Sequence, residues 1–88
     1  MVYITEIRLS GGSDSQHITH VKWIQPSQGR AGTATRAEMV QYIRGGSPVS
    51  VADGFRNVEV QVVDADPPHI RTVADGRETN NLLELPRF

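Results

Sequence analysis

The chain contains no cysteine, which removes disulfide staples and thiolate nucleophiles and leaves any zinc site dependent on histidine and carboxylates. Aromatic residues are scarce, with one Trp, two Tyr and two Phe. Neither charge sign is in excess: nine Lys plus Arg stand against ten Asp plus Glu, for a net charge of −1, so no overall field gathers a polyanion. No apolar run approaches membrane-spanning length, and Met1 to Arg8 has neither the basic start nor the apolar stretch of a signal peptide. A cytoplasmic location without membrane attachment is the expectation. No nucleophile elbow, phosphate loop or calcium loop is complete, and Asp64-Ala65-Asp66 runs straight into Pro67-Pro68, where a calcium loop needs further ligands and a glycine.

What is present is enough chain for one domain over residues 1–88, and a domain this small buries only about 60–65% of its unfolded surface. Eight of the nine cations are arginine, the residue of planar, bidentate contacts. Residues 2 to 10 alternate, with Tyr3, Thr5, Ile7 and Leu9 on one parity, as in a strand with one face in a core. After the turn formers Ser10 to Ser15, a second β-like run covers His17 to Gln25. Its apolar residues change parity between Ile18 and Val21, so either both faces are covered or a bulge near Thr19 and His20 re-aims the strand. Trp23, the largest apolar group, is expected to anchor the core.

Gln25 to Thr33 is small, polar and aperiodic, and reads as a mobile surface loop. It leads to Thr35-Arg36-Ala37-Glu38, a capping box. Met39, Val40 and Ile43 then share a helical stripe that ends at Gly45-Gly46. Pro48 to Asp53, a run centred on Val58, Val60 and Val62, and His69 to Ala74 follow as strands. Leu82, Leu83 and Leu85 close the chain as an apolar clip. Val-Ala-Asp-Gly occurs at both 51–54 and 73–76, which reads as one turn chemistry used twice. The expected class is α+β: a small, curved, antiparallel five-stranded sheet packed by one helix in the order β-β-α-β-β-β, with a C-terminal clip. The face away from the helix would be closed by curvature, by the tail or by a partner.

The opening Tyr3-Ile4-Thr5-Glu6-Ile7-Arg8, the run from His17-Ile18 to Trp23, and above all Ile70-Arg71-Thr72-Val73-Ala74-Asp75-Gly76 followed by Asn80-Asn81-Leu82 and Leu85-Pro86 resemble the DUF3892 family. Its members are small, mostly bacterial and phage-encoded domains of unknown function. The resemblance covers nearly the whole chain. It departs from the family pattern at His69, where an aromatic is usual, and at Ile70, where Leu is usual. It implies a self-contained domain and no particular activity, cofactor or ligand.

Three groups of residues are candidates for a site. Arg71, Thr72, Asp75, Asn80 and Asn81 would form a polar binding surface, with Arg71 as a hydrogen-bond fork. Set against this, the same residues are turn formers, with Arg71 pairing to Asp75, and the structural role is favoured. Arg30, Thr35 and Arg36 would gather a small anion at the helix start. His17 and His20 would come together, with His69 or Asp14 completing a metal site, only if a bulge re-aimed them, so surface or strand-edge histidines and no metal are expected. No catalytic residue and no cofactor are assigned.

Three functions are therefore weighed. The first is a non-enzymatic interaction module, phage- or mobile-element-associated, that binds a protein partner or a second copy of itself. The second is a nucleic-acid-binding sheet stacking bases on Trp23, Tyr3 or Phe55, which the balanced charge disfavours. An anion or nucleotide binder ranks last.

Overall fold

The computed structural model describes residues 1–54 and 56–88. Seven strands and one helix follow in the order β1 (Val2–Leu9), β2 (Ile18–Gln25), β3 (Arg30–Thr35), α1 (Arg36–Arg44), β4 (Val49–Asp53), β5 (Arg56–Val63), β6 (His69–Ala74) and β7 (Arg77–Thr79). All strands join one sheet, ordered β3-β2-β1-β4-β5-β6-β7. The α+β class and the single helix stand, but the five-stranded antiparallel sheet does not. There are two more strands, and β1 pairs with β4 in parallel through Val2–Val49 and Tyr3–Ser50. The parallel pair arises because α1 carries the chain from β3 back across the sheet, so that β4 enters beside β1.

Both additional strands lie in segments whose sequence looks irregular. β3 begins inside what reads as a mobile loop and takes up its last four residues, Arg30 to Thr33. Pro26 to Gln28 make a 3-10 turn, Gly29 takes the left-handed conformation at φ 62°, and Gln25 and Arg30 then begin an unbroken antiparallel ladder to His20–Thr35. β7 is three residues long and lies within the turn-rich ending.

The irregular parity of the first hairpin has two causes. Thr19 is an extra residue on β2, between the pairs Arg8–His20 and Leu9–Ile18, which is the bulge expected there. A second bulge lies on β1 at Thr5, between Ile4–Trp23 and Glu6–Lys22. It moves the core side of β1 from Val2 and Ile4 to Ile7, and all three are buried, so simple alternation misassigns the first two.

The repeated Val-Ala-Asp-Gly is used in two registers. Asp53 is still paired with Arg56, whereas Asp75 and Gly76 are themselves the two-residue turn beyond the Ala74–Arg77 pair, at φ 54° and 75°. Consecutive positive φ values define a type I′ turn, which tolerates Asp and favours Gly.

The core is built from one side of the sheet. Val2, Ile4, Ile7, Ile18, Val21, Val49, Val51, Val60 and Ile70 meet Met39 and Val40 of the helix. The nine-residue helix touches β2 and β3 as well as β5 and β6. In a flat sheet β2 and β6 would lie about 19 Å apart, so the sheet must curl around the helix.

The C-terminal segment completes this enclosure. Leu82 is buried in the core, and Arg87 bridges Ile7 in parallel, with the Ile7 N–H donating to the Pro86 carbonyl at 3.0 Å. The tail thus lies along the part of β1 that β4 leaves unpaired. No described helix is long and apolar enough to cross a membrane.

Candidate functional site

A concavity lies between α1 and the edge strand β3, smaller than the depression of about 440 Å³ lined by Tyr3 and Ile24. It encloses about 350 Å³, and its walls include Trp23 and Gln25 of β2, Arg30 and Ala34 of β3, and Met39 and Tyr42 of α1. The local sequence builds it in steps. Gly29 turns the chain, so Trp23 falls opposite Gly32. A Cβ on Gly32 would sit 2.8 Å from Trp23 Cζ2, closer than real Cβ contacts, and 3.1 Å from Cε2, so the indole would have to shift. The indole therefore occupies the space that a side chain at Gly32 would take. It reaches across β3 toward the sheet edge and leaves Trp23 half-buried, packed against the core and lining the groove rather than fully enclosed.

The helix supplies the other wall because its start is fixed. The Thr35 hydroxyl accepts the Glu38 N–H at 3.1 Å, and Glu38 Oε1 accepts the Thr35 N–H at 2.9 Å, the expected capping box. The Thr35 backbone N–H foremost, and then the Thr35 hydroxyl, hold the Glu38 carboxyl below its ordinary range. Its charge is thereby engaged. Arg30, at the opposite end of β3, is exposed and has no ion pair among the described residues.

The anion trio Arg30, Thr35 and Arg36 does not converge. Arg30 and Thr35 are the two ends of β3, about 16 Å apart at strand rise. The Arg36 guanidinium donates instead to the Gln16 carbonyl at 2.8 Å.

The C-terminal group also disperses. Arg71 and Thr72 are neighbours on β6 and so point to opposite faces. Arg71 pairs with Glu78 at 3.5 Å, rather than with Asp75. Thr72 is fully buried; its hydroxyl donates to the Thr79 carbonyl at 3.1 Å and accepts the Leu82 N–H at 3.3 Å, which ties β6, β7 and the tail together. Asp75 forms the turn. The Asn81 amide donates to Asp53 Oδ2 at 2.9 Å, and the Asn80 carbonyl accepts the Glu84 N–H at 3.0 Å. Most of these groups are spent on closing the fold.

The histidines remain apart. His17 Nδ1 accepts the Asp14 N–H at 3.3 Å, and His20 Nδ1 contacts Thr19 Oγ1 at 2.9 Å. His69 starts β6, and burial, reinforced by Arg36, lowers its pKa. Among the described residues no group of three or more His, Asp or Glu could hold a metal.

The aromatic residues proposed to stack bases do not form one platform. Trp23 is on the helix side, while the Tyr3 hydroxyl accepts the Asn57 amide at 3.1 Å and Tyr3 lines a separate depression with Ile24 and Leu85. Phe55 lies outside the described residues. The groove residues missed from sequence are Gly32, Gln25, Met39 and Tyr42. The signal available was Gly29: taking it as the left-handed end of a hairpin turn sets Gln25 against Arg30, and counting outward sets Trp23 against Gly32.

A curled seven-stranded mixed sheet wrapped on one helix, with a groove at its open edge, defines a small α+β domain. Residues 3–86 match the family model described as a protein of unknown function, DUF3892. The chain belongs to that family. No curated protein and no solved structure matches it.

Proposed function

We propose that this protein is an interaction module that binds an extended segment of a partner protein by adding it as a strand along β3. The observation that carries this reading is the outer edge of β3. Its six residues, Arg-Ala-Gly-Thr-Ala-Thr, end the sheet with no neighbouring strand on that side among the described residues. Natural edges are blunted by proline, by charge, by bulges or by shortness. β3 has no proline, its ladder to β2 is unbroken, and Arg30 is its sole charge. An added strand draws affinity from main-chain hydrogen bonds, and side-chain pockets beside the edge add selectivity. The groove under α1 supplies such a pocket. The balanced net charge of −1 and the scattered aromatics favour a peptide over a nucleic acid.

The test is selection of binders from a displayed library of random peptides, followed by synthesis of the best with alternate backbone amides N-methylated. Methylation on the edge that faces β3 should abolish binding, whereas the opposite set should leave it intact. Binders that tolerate both sets, or that bind as helices, would refute strand addition.

A further inference from the structure

The groove also carries information about which strand it would take. The indole of Trp23 lies over Gly32, so the position opposite Gly32 on an added strand meets an aromatic face, with Ala34, Met39 and Tyr42 around it. Arg30 lies two residues from Gly32 along β3 and therefore on the same face. The other charge at the groove, Glu38, is held by the Thr35 N–H, which leaves Arg30 as the unpaired one. Resting on the strand-addition reading above, we infer that the ligand strand carries a large apolar or aromatic side chain over Gly32 and, two positions away, an acidic side chain beside Arg30.

Charge complementarity separates this occupant from a second copy of the chain. Antiparallel pairing of β3 with itself, centred near Gly32 and Thr33, would set Ala34, Thr35 or Arg36 opposite Arg30. No acid would meet the guanidinium, and no large side chain from that strand would enter the groove. A ligand with the pattern aromatic-x-acid satisfies both features at once. An aromatic side chain in a pocket supplies the kind of anchor that dominates interfaces, and an arginine at the rim fixes register and selects charge.

The experiment uses fluorescein-labelled peptides of about ten residues built on alternating Thr and Ser. One Phe and one Glu are placed two residues apart in both orders, Phe-x-Glu and Glu-x-Phe, and binding is read by fluorescence anisotropy. One order should bind, and replacing its Phe by Ala or its Glu by Lys should weaken it by roughly ten-fold or more. Arg30→Glu, a change at an exposed position, should reverse the charge preference so that the Lys peptide binds better than the Glu peptide. Tyr42→Ala, also at the surface, should weaken the Phe peptides while leaving the Ala peptides unchanged.

Equal binding by all side-chain sets, with N-methylation still abolishing it, would overturn this inference and leave strand addition standing. Absence of binding by every peptide here and in the library selection would overturn both. β3 amide protection that rises with protein concentration in the absence of peptide would assign the edge to a second copy and overturn the inference.

Discussion

The two edges of the sheet are built in opposite ways. At one end, β7 is three residues long, carries Arg77 and Glu78, and is followed by a tail that folds back into the core. At the other, β3 is six residues of mostly small, uncharged side chains with no strand beyond it among the described residues. The β7 end ties polar groups together internally: Thr72 bridges the Thr79 carbonyl and the Leu82 N–H, and Arg71 pairs with Glu78, while Arg71 Nε and Thr79 Oγ1 are buried without a partner among the described residues. The β3 end keeps an arginine unpaired and a cavity open. One end is organised for stability and the other is the one we propose for uptake, which reverses the emphasis that the distinctive C-terminal sequence first invites.

Substitutions can break this contrast. The largest effect belongs to the closed end: Leu82→Ala, at a side chain 1% exposed in the core, should cost about 2–5 kcal/mol by urea denaturation. A cost below about 1 kcal/mol, the level of an ordinary surface change, would deny the tail its role. Gly32→Ala should cost about 1–3 kcal/mol, because the new Cβ must displace the Trp23 ring. It should also abolish peptide binding, so tight binding by this variant would separate the indole from the groove.

Thr35→Ala removes the helix cap and should lower stability by about 0.5–2 kcal/mol. The cap also has a pH signature. The Glu38 carboxyl titrates below its ordinary value in the folded protein, so its contribution is complete above that value and is lost as pH falls through the depressed one. Thr35→Ala keeps the backbone N–H that is the main cause of this shift, so the signature is read on Glu38→Gln. Its denaturation midpoints from about pH 7 to about pH 3 should fall less steeply than the parent's. The smallest effects sharpen the contrast. Arg71→Gln loses an exposed pair at 3.5 Å and should cost less than about 1 kcal/mol. Thr33→Lys on the open edge should change stability by no more than about 0.5 kcal/mol, yet hinder strand addition.

How much of this was legible in the sequence follows from how each residue does its work. Where burial sets the pattern, as at Val58, Val60 and Val62 or in the stripe of Met39, Val40 and Ile43, the period is visible and the element lies where it is expected. The capping box is equally local and equally legible. β3 was hidden because an edge strand lined by another strand's indole needs small residues, and Ala-Gly-Thr-Ala has no apolar period to detect. Simple alternation captures only half of β1, because the bulge at Thr5 changes its core face midway. The parallel pairing of β1 with β4 depends on where the helix returns the chain, which no local pattern encodes. The groove was illegible for the same reason: Trp23, Arg30 and Tyr42 meet only through the register fixed by Gly29 and the direction of α1.

The most direct test of the open-edge account is residue-resolved amide hydrogen exchange with and without a saturating peptide of the aromatic-x-acid pattern. Slowed exchange is expected at those β3 amides that point away from β2, with β7 unchanged. Protection at β7, at the outer depression near Tyr3 and Ile24, or nowhere along Arg30–Thr35 would contradict it.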